Sequence, residues 1–158
     1  MPDDLYWDDT LLWSERQSAL LRRLAAGERV NDVDWQHVIE EIEDVGKTEL
    51  RACASLLLRA MEHLLKLQGW AGSPASEHWR AEARVFLRDA ALAFSPSMAR
   101  KIDLDDLYRL ARDDVRVMTV DLRPPAPLPD RCPFAIDDLL ARTLDLDALL
   151  AKLAPPAG

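Results

Sequence analysis

The sequence predicts an all-α protein, a single-domain helical bundle, on three observations. Apolar residues return with helical period in segment after segment, while strand-like alternation is almost absent. From Trp35 to Leu67 they hold one helical phase without a break. Clusters rich in Gly, Ser and Pro separate these periodic stretches. At 158 residues the chain suits one domain over 1–158, long enough to bury roughly 70% of its extended surface without staples.

The first helix is expected from Asp4 or Asp9 to Ala26, with Leu5, Leu12, Trp13, Leu20 and Leu24 inward and Gly27 as its stop. Asp34 can cap the next. In that long helix, about 35–68, Trp35, Val38, Ile39, Ile42, Val45, Cys53, Leu56, Leu57, Ala60, Leu64 and Leu67 fall within roughly 120° of the wheel. A straight helix of this length spans about 50 Å at 1.5 Å per residue. Gly46 lies on the same arc, as the place for a gentle kink or for close approach of another backbone. "GWAGSPAS" is a turn, and Trp79, Ala83, Phe86, Ala90 and Phe94 mark a third helix that ends near "FSPS", with Ser95 as cap and Pro96 opening a further turn. A helix after Asp103 carries Leu107, Tyr108, Ala111, Val115, Met118 and Leu122. "RPPAPLPDRCP" holds five prolines in eleven residues and is neither helix nor central strand. This connector delivers Phe134, Ile136, Leu139 and Leu140 to a short C-terminal helix, followed by "DLDALLAKL" and a frayed tail, 154–158.

Composition narrows the function. The net charge of −8 opposes broad attraction to nucleic acid or anionic lipid. Residues 1–50 hold 13 acids and 5 bases, 51–101 hold 4 and 8, and 102–158 hold 11 and 7, so a basic middle lies between acidic ends and is suited to pair with them. The two cysteines, Cys53 and Cys132, fit neither a disulfide framework nor a zinc spacing and read as free thiols. An acidic "MPDDLYWDD" and the lack of a long apolar run make a cytoplasmic protein the expectation, with no membrane partner.

The stretch "WQHVIEEIEDVGKTEL" holds most of the chemistry. Glu40, Glu41, Glu43 and Asp44 lie outside the apolar arc and cannot converge on one ion, so with His37 they form a candidate outer acidic face, a solvated one in the simplest reading. His37 and Glu41 stand one turn apart, but two ligands do not make a metal site. Glu49 differs, since it falls near the centre of the apolar arc, with His63 at the arc's edge roughly 21 Å further along. Each is expected to meet a group on another helix, an Arg for Glu49, which makes the two a candidate polar pocket. Arg80, Arg84 and Arg88 recur every four residues and are suited to pair with the acidic side of the long helix. With Trp70 and Trp79 they form a candidate partner surface. No nucleophile spacing or Gly-rich phosphate loop is present.

Several blocks in order, "LYWDDTLLWSERQSALLR", "DVDWQHVIEEIEDVGKTEL", "LLRAMEHLLKLQ", the Trp79 helix, "SPSM" and "CPF", resemble the bacterial domain-of-unknown-function 29 family over nearly the whole chain. The resemblance implies an all-helical bundle with no established activity, and marks Glu40, Glu41, Glu43, Gly46, His63 and Lys66 as motif positions. The chain departs from the family at His37, where members often carry Asn, and in the connector and the "LDLDALLAKL" ending.

These readings lead to a small cytoplasmic helical bundle working through protein contacts or self-association, without a cofactor and with no catalytic motif. The alternative is a bundle binding a metal or small ligand around Glu49 and His63. Nucleic-acid binding by the Arg80, Arg84 and Arg88 ridge is the weakest of the three.

Overall fold

Helices start and stop where the chain supplies caps and breakers in the computed structural model, which describes residues 5–155. One turn, α1 (Leu5–Asp8), leads into α2 (Thr10–Ala25). Between them Asp9 accepts the Leu12 amide at 3.0 Å, satisfying one of the free donors of the first turn. The other helix start considered, Asp4, lies outside the described residues. At the far end Gly27 N–H donates to the Leu24 carbonyl and Glu28 N–H to that of Arg23, with Gly27 at φ +86°, a conformation that strains any side chain. The stop expected at Gly27 is therefore a two-bond helix closure.

After 28–34 the chain enters α3 (Trp35–Gly69), a single helix of 35 residues that runs through Gly46 without interruption. A Cβ on Gly46 would meet nothing within 4 Å, so no neighbouring backbone presses on it. The chain divides into two compact units, residues 1–47 and 48–158.

In unit 1, Trp13, Val33 and Val38 are buried, with Leu5, Tyr6, Leu20, Leu21 and Val30 packed around them. Leu12 and Leu24, expected inward, are exposed. Leu12 lies about 100° round the helix from Trp13, and Leu24 sits in the last turn beside the reversal. The larger correction concerns α3, because Trp35, Ile39, Ile42 and Val45 are 52, 52, 68 and 65% exposed despite lying on the apolar arc. The same arc further along, at Cys53, Leu57, Ala60 and Leu64, is fully buried in unit 2.

Unit 2 is built round the second half of α3. Ala60, Leu64, Leu57, Met61 and Leu65 are all inaccessible and span about 140° of the helix, more than the roughly 100° stripe of a helix that lies on a surface. Packed with them are α4 (Ser76–Ala93), through Trp79, Ala83, Leu87 and Ala90, and a 3-10 turn (Pro96–Arg100), through Met98. Next come α5 (Leu104–Arg116), with Tyr108, Ala111 and Val115, then α6 (Ile136–Leu139) and α7 (Leu146–Leu153). Asp103 and Asp145 cap α5 and α7, each accepting an amide at 3.0 Å. α5 ends before Met118 and Leu122, which were expected on its buried side and are exposed. Instead Val120 to Arg123 make a tight turn, with Asp121 and Leu122 at positive φ.

The connector crosses without regular structure, as its prolines require, but it is pinned throughout. Ala126 N–H donates to the Gly69 carbonyl at 2.7 Å, and the Trp70 indole donates to the Arg123 carbonyl at 2.9 Å. The Tyr108 hydroxyl donates to the Pro129 carbonyl at 2.7 Å, while Arg112 and Arg116 hold Asp130. Pro125 comes so close that a Cβ on Gly69 would lie 2.9 Å from its ring. Phe134, placed by its pattern on the final helix, is a buried part of this connector.

Candidate functional site

Unit 1 gathers the polar aromatics of the N-terminal segment onto one side of α3. Asp34 is the hub, accepting the Nδ1 proton of His37 at 2.7 Å and the indole proton of Trp13 at 3.0 Å on the same oxygen. Its own N–H donates to the Gln17 side chain at 2.9 Å. The helix cap read from the sequence is thus the weaker part of its work, because the bond from the His37 amide is long, at 3.4 Å. Partial burial pushes the Asp34 carboxyl up, but the bonds from His37 and Trp13 outweigh it and hold the carboxyl below its ordinary value. The His37 ring lies stacked on Tyr6 at 3.9 Å between centroids, with Trp7 and Trp13 edge-on to it. Tyr6 donates its hydroxyl proton to Glu41 at 2.7 Å, a bond that pushes the phenol up to about 12.

His37 and Glu41 are therefore not part of a solvated face. They lie outside the apolar arc on one flank of α3, and α1 and α2 cover them there through hydrogen-bonding aromatics. Glu40, Glu43 and Asp44 do stay in solvent, with Lys47 bridging Asp44 at 3.1 Å and Glu43 at 3.8 Å. The consequence is geometric, since α1 and α2 occupy the flank of α3 that carries His37, Val38 and Glu41, and the apolar ridge of Trp35, Ile39, Ile42 and Val45 is left uncovered. A carboxylate-oriented imidazole such as that of His37 can serve as a base or a ligand. Its Nε2 takes no hydrogen bond among the described residues, and no group of three His, Cys, Asp or Glu side chains able to hold a metal occurs among them.

In unit 2 the expected pocket residues do not meet. Glu49 is exposed, not inward, because the apolar arc it sits on becomes buried only from Cys53 onward. His63 is half-buried, bonded through Nδ1 to the Arg59 carbonyl at 2.8 Å and tilted against Phe86. Burial holds its imidazole below the usual histidine value. Trp70 and Trp79 are likewise not a surface: both are buried core residues, 6.1 Å apart between centroids. Nor does the arginine series pair with the acidic side of α3. Arg80 binds Asp147 of α7 at 2.8 Å, Arg88 binds its neighbour Asp89, and Arg84 is exposed without an ion pair among the described residues.

Other features of unit 2 escaped sequence reasoning. Glu62 is buried and held by Arg59 at 2.9 Å, although the wheel places it opposite the apolar arc. A cleft of about 430 Å³ lies between Leu87, Leu92, Leu139 and Leu144, with Arg88 and Arg142 at its edge. Another, of about 340 Å³, is lined by Tyr108, Arg112, Arg131 and Cys132. Both cysteines are free, and burial pushes both thiols up, away from nucleophilic reactivity.

Fold and surface together define an all-helical protein with one uncovered apolar helix face, and none of its described helices is long and apolar enough to cross a membrane. The chain belongs to the family described as domain of unknown function DUF29, whose model matches residues 5–144. It is similar to an alpha-helical protein of unknown function from Rhodospirillum rubrum solved by crystallography, with 28% identity and a TM-score of 0.73, over 95% of this chain and 98% of that one. No curated protein matches it.

Proposed function

We propose that the chain is a protein-docking module and that the uncovered face of α3 in unit 1 receives a helix of another protein. One observation carries this reading. Trp35, Ile39, Ile42 and Val45 follow the spacing of a helix-in-groove anchor set, and each leaves half or more of its surface uncovered. Scattered exposed apolar residues are ordinary, but four in register on one face are a patch of the kind that marks interaction sites. Packing of α1 and α2 against the neighbouring flank, at His37, Val38 and Glu41, leaves the face open.

A photo-crosslinking residue placed at position 42 tests the proposal in cells, with the same residue at position 22 as control. The expected result is one dominant adduct at 42. Its purified partner should bind the wild-type chain and lose about tenfold in affinity against Ile42→Glu. Equal adducts at both positions, or a partner indifferent to Ile42→Glu, would overturn it.

A further inference from the structure

We infer that the helix received by α3 is basic as well as amphipathic, an inference that rests on the docking reading above. The charge of the chain is concentrated beside the ridge. Residues 1–47 hold 12 acids against 5 bases, whereas residues 48–158 hold 16 against 15, so nearly all of the net charge of −8 belongs to unit 1. Along α3 one of these acids also borders the ridge itself. Glu43 follows the ridge about 80° round from Trp35, one turn beyond Ile39, and Glu40 lies further round, about 140° from Trp35. Glu40 is bonded only by the Gln36 amide, at 3.2 Å, and has no cation beside it among the described residues. Lys47, the one lysine or arginine between Trp35 and Lys47, is already engaged with Glu43 and Asp44.

A partner with Lys or Arg flanking its own apolar stripe meets this arrangement with opposite charge, which speeds encounter and fixes register. A second copy of the chain does not. Pairing of two ridges brings together two units that each hold 12 acids against 5 bases, and like charges across an interface are unfavourable. Gly46 refines the fit: it lies on the line of the ridge with open space above it, so a large partner side chain can settle against bare backbone there.

Synthetic amphipathic helices of about 18 residues test this, one patterned in Leu and Lys and one in Leu and Glu, titrated against the full chain by calorimetry. Three proteins are compared: wild type, Ile42→Glu, and the double variant Glu40→Lys with Glu43→Lys, each checked for unchanged helicity by circular dichroism. The expected result is that wild type binds the Leu/Lys helix at least about tenfold tighter than the Leu/Glu helix. Ile42→Glu then loses about tenfold for the Leu/Lys helix although it adds negative charge, and the double variant reverses the preference. If wild type binds both helices equally and Ile42→Glu loses both, docking stands and the basic partner falls. If Ile42→Glu binds the Leu/Lys helix as well as wild type does, the attraction is charge alone and docking falls too. Failure of wild type to bind either helix at about 100 μM overturns both readings. A dimer seen by light scattering and abolished by Ile42→Glu assigns the face to a second copy and overturns the basic partner.

Discussion

Asp34 shows how much one side chain can hold. Its carboxylate takes protons from His37 and Trp13 and so joins two helices of unit 1. Asp34→Asn keeps the shape and a competent helix cap but loses the charge in both bonds, at a cost of about 1–2 kcal/mol near neutral pH. The pH dependence follows from the direction of the shift. The folded carboxyl is held below its ordinary 3.8, so its stabilisation is complete above that value and is lost as pH falls through the lower folded one. Urea unfolding at pH 7 and pH 3 should show the gap between wild type and Asp34→Asn closing in acid; a constant gap would count against the role assigned to the charge. His63 acts in a higher window. Its folded value is depressed below 6.5, so protonation favours the unfolded chain and stability falls as pH drops through that range. His63→Gln should be less sensitive there, as measured by the midpoint of unfolding at pH 7 and pH 5.

At the scale of elements, two glycines of α3 make opposite predictions. Gly69→Ala forces its new methyl against Pro125 and should destabilise unit 2 by roughly 1–3 kcal/mol, since the proline is part of a connector held on both sides. Gly46→Ala meets open space and should stabilise the helix by about 0.5–1 kcal/mol. Thermal unfolding of the two variants checks both, and a destabilising Gly46→Ala would mean that the helix needs the freedom of glycine there. The elements themselves were legible in the chain because caps, breakers and helical period are local. Asp9, Gly27, Asp103 and the proline run all act within a few residues of where they stand. What covers a face is not local. The wheel correctly grouped Trp35, Ile39, Ile42 and Val45 with Cys53 and Leu57, but nothing in the periodicity says that only the second group is covered. The error at Glu49 has the same origin. For His37 and Glu41 the pattern reads as a wet surface because their partner, Tyr6, lies 35 residues before Glu41. For Trp70 and Trp79, composition suggested an interface where close packing made a core.

For the whole molecule, the two units differ in how much they bury. Among the described residues the core cluster of unit 2 contains twenty-two buried residues and that of unit 1 contains three, Trp13, Val33 and Val38. A segment of unit 1's size with so few buried side chains is below what usually folds alone. Residues 48–158 expressed without the rest should therefore keep a cooperative thermal transition, and residues 1–47 alone should show little helicity by circular dichroism. Hydrogen exchange on the full chain should find amides of α2 opening at lower free energy than those of α5. Equal protection in the two helices would refute that order.

The open ridge beside Glu43 also bears on how the protein behaves when concentrated. Apolar side chains in register would make copies adhere, and the surrounding negative charge is what holds them apart. That repulsion is screened over about 10 Å at 0.1 M salt and about 3 Å at 1 M. The osmotic second virial coefficient should accordingly be positive in dilute buffer and fall through zero as salt is raised, and Ile42→Glu should keep it positive. Solubility of this chain is then a matter of ionic strength, governed by one face of one helix.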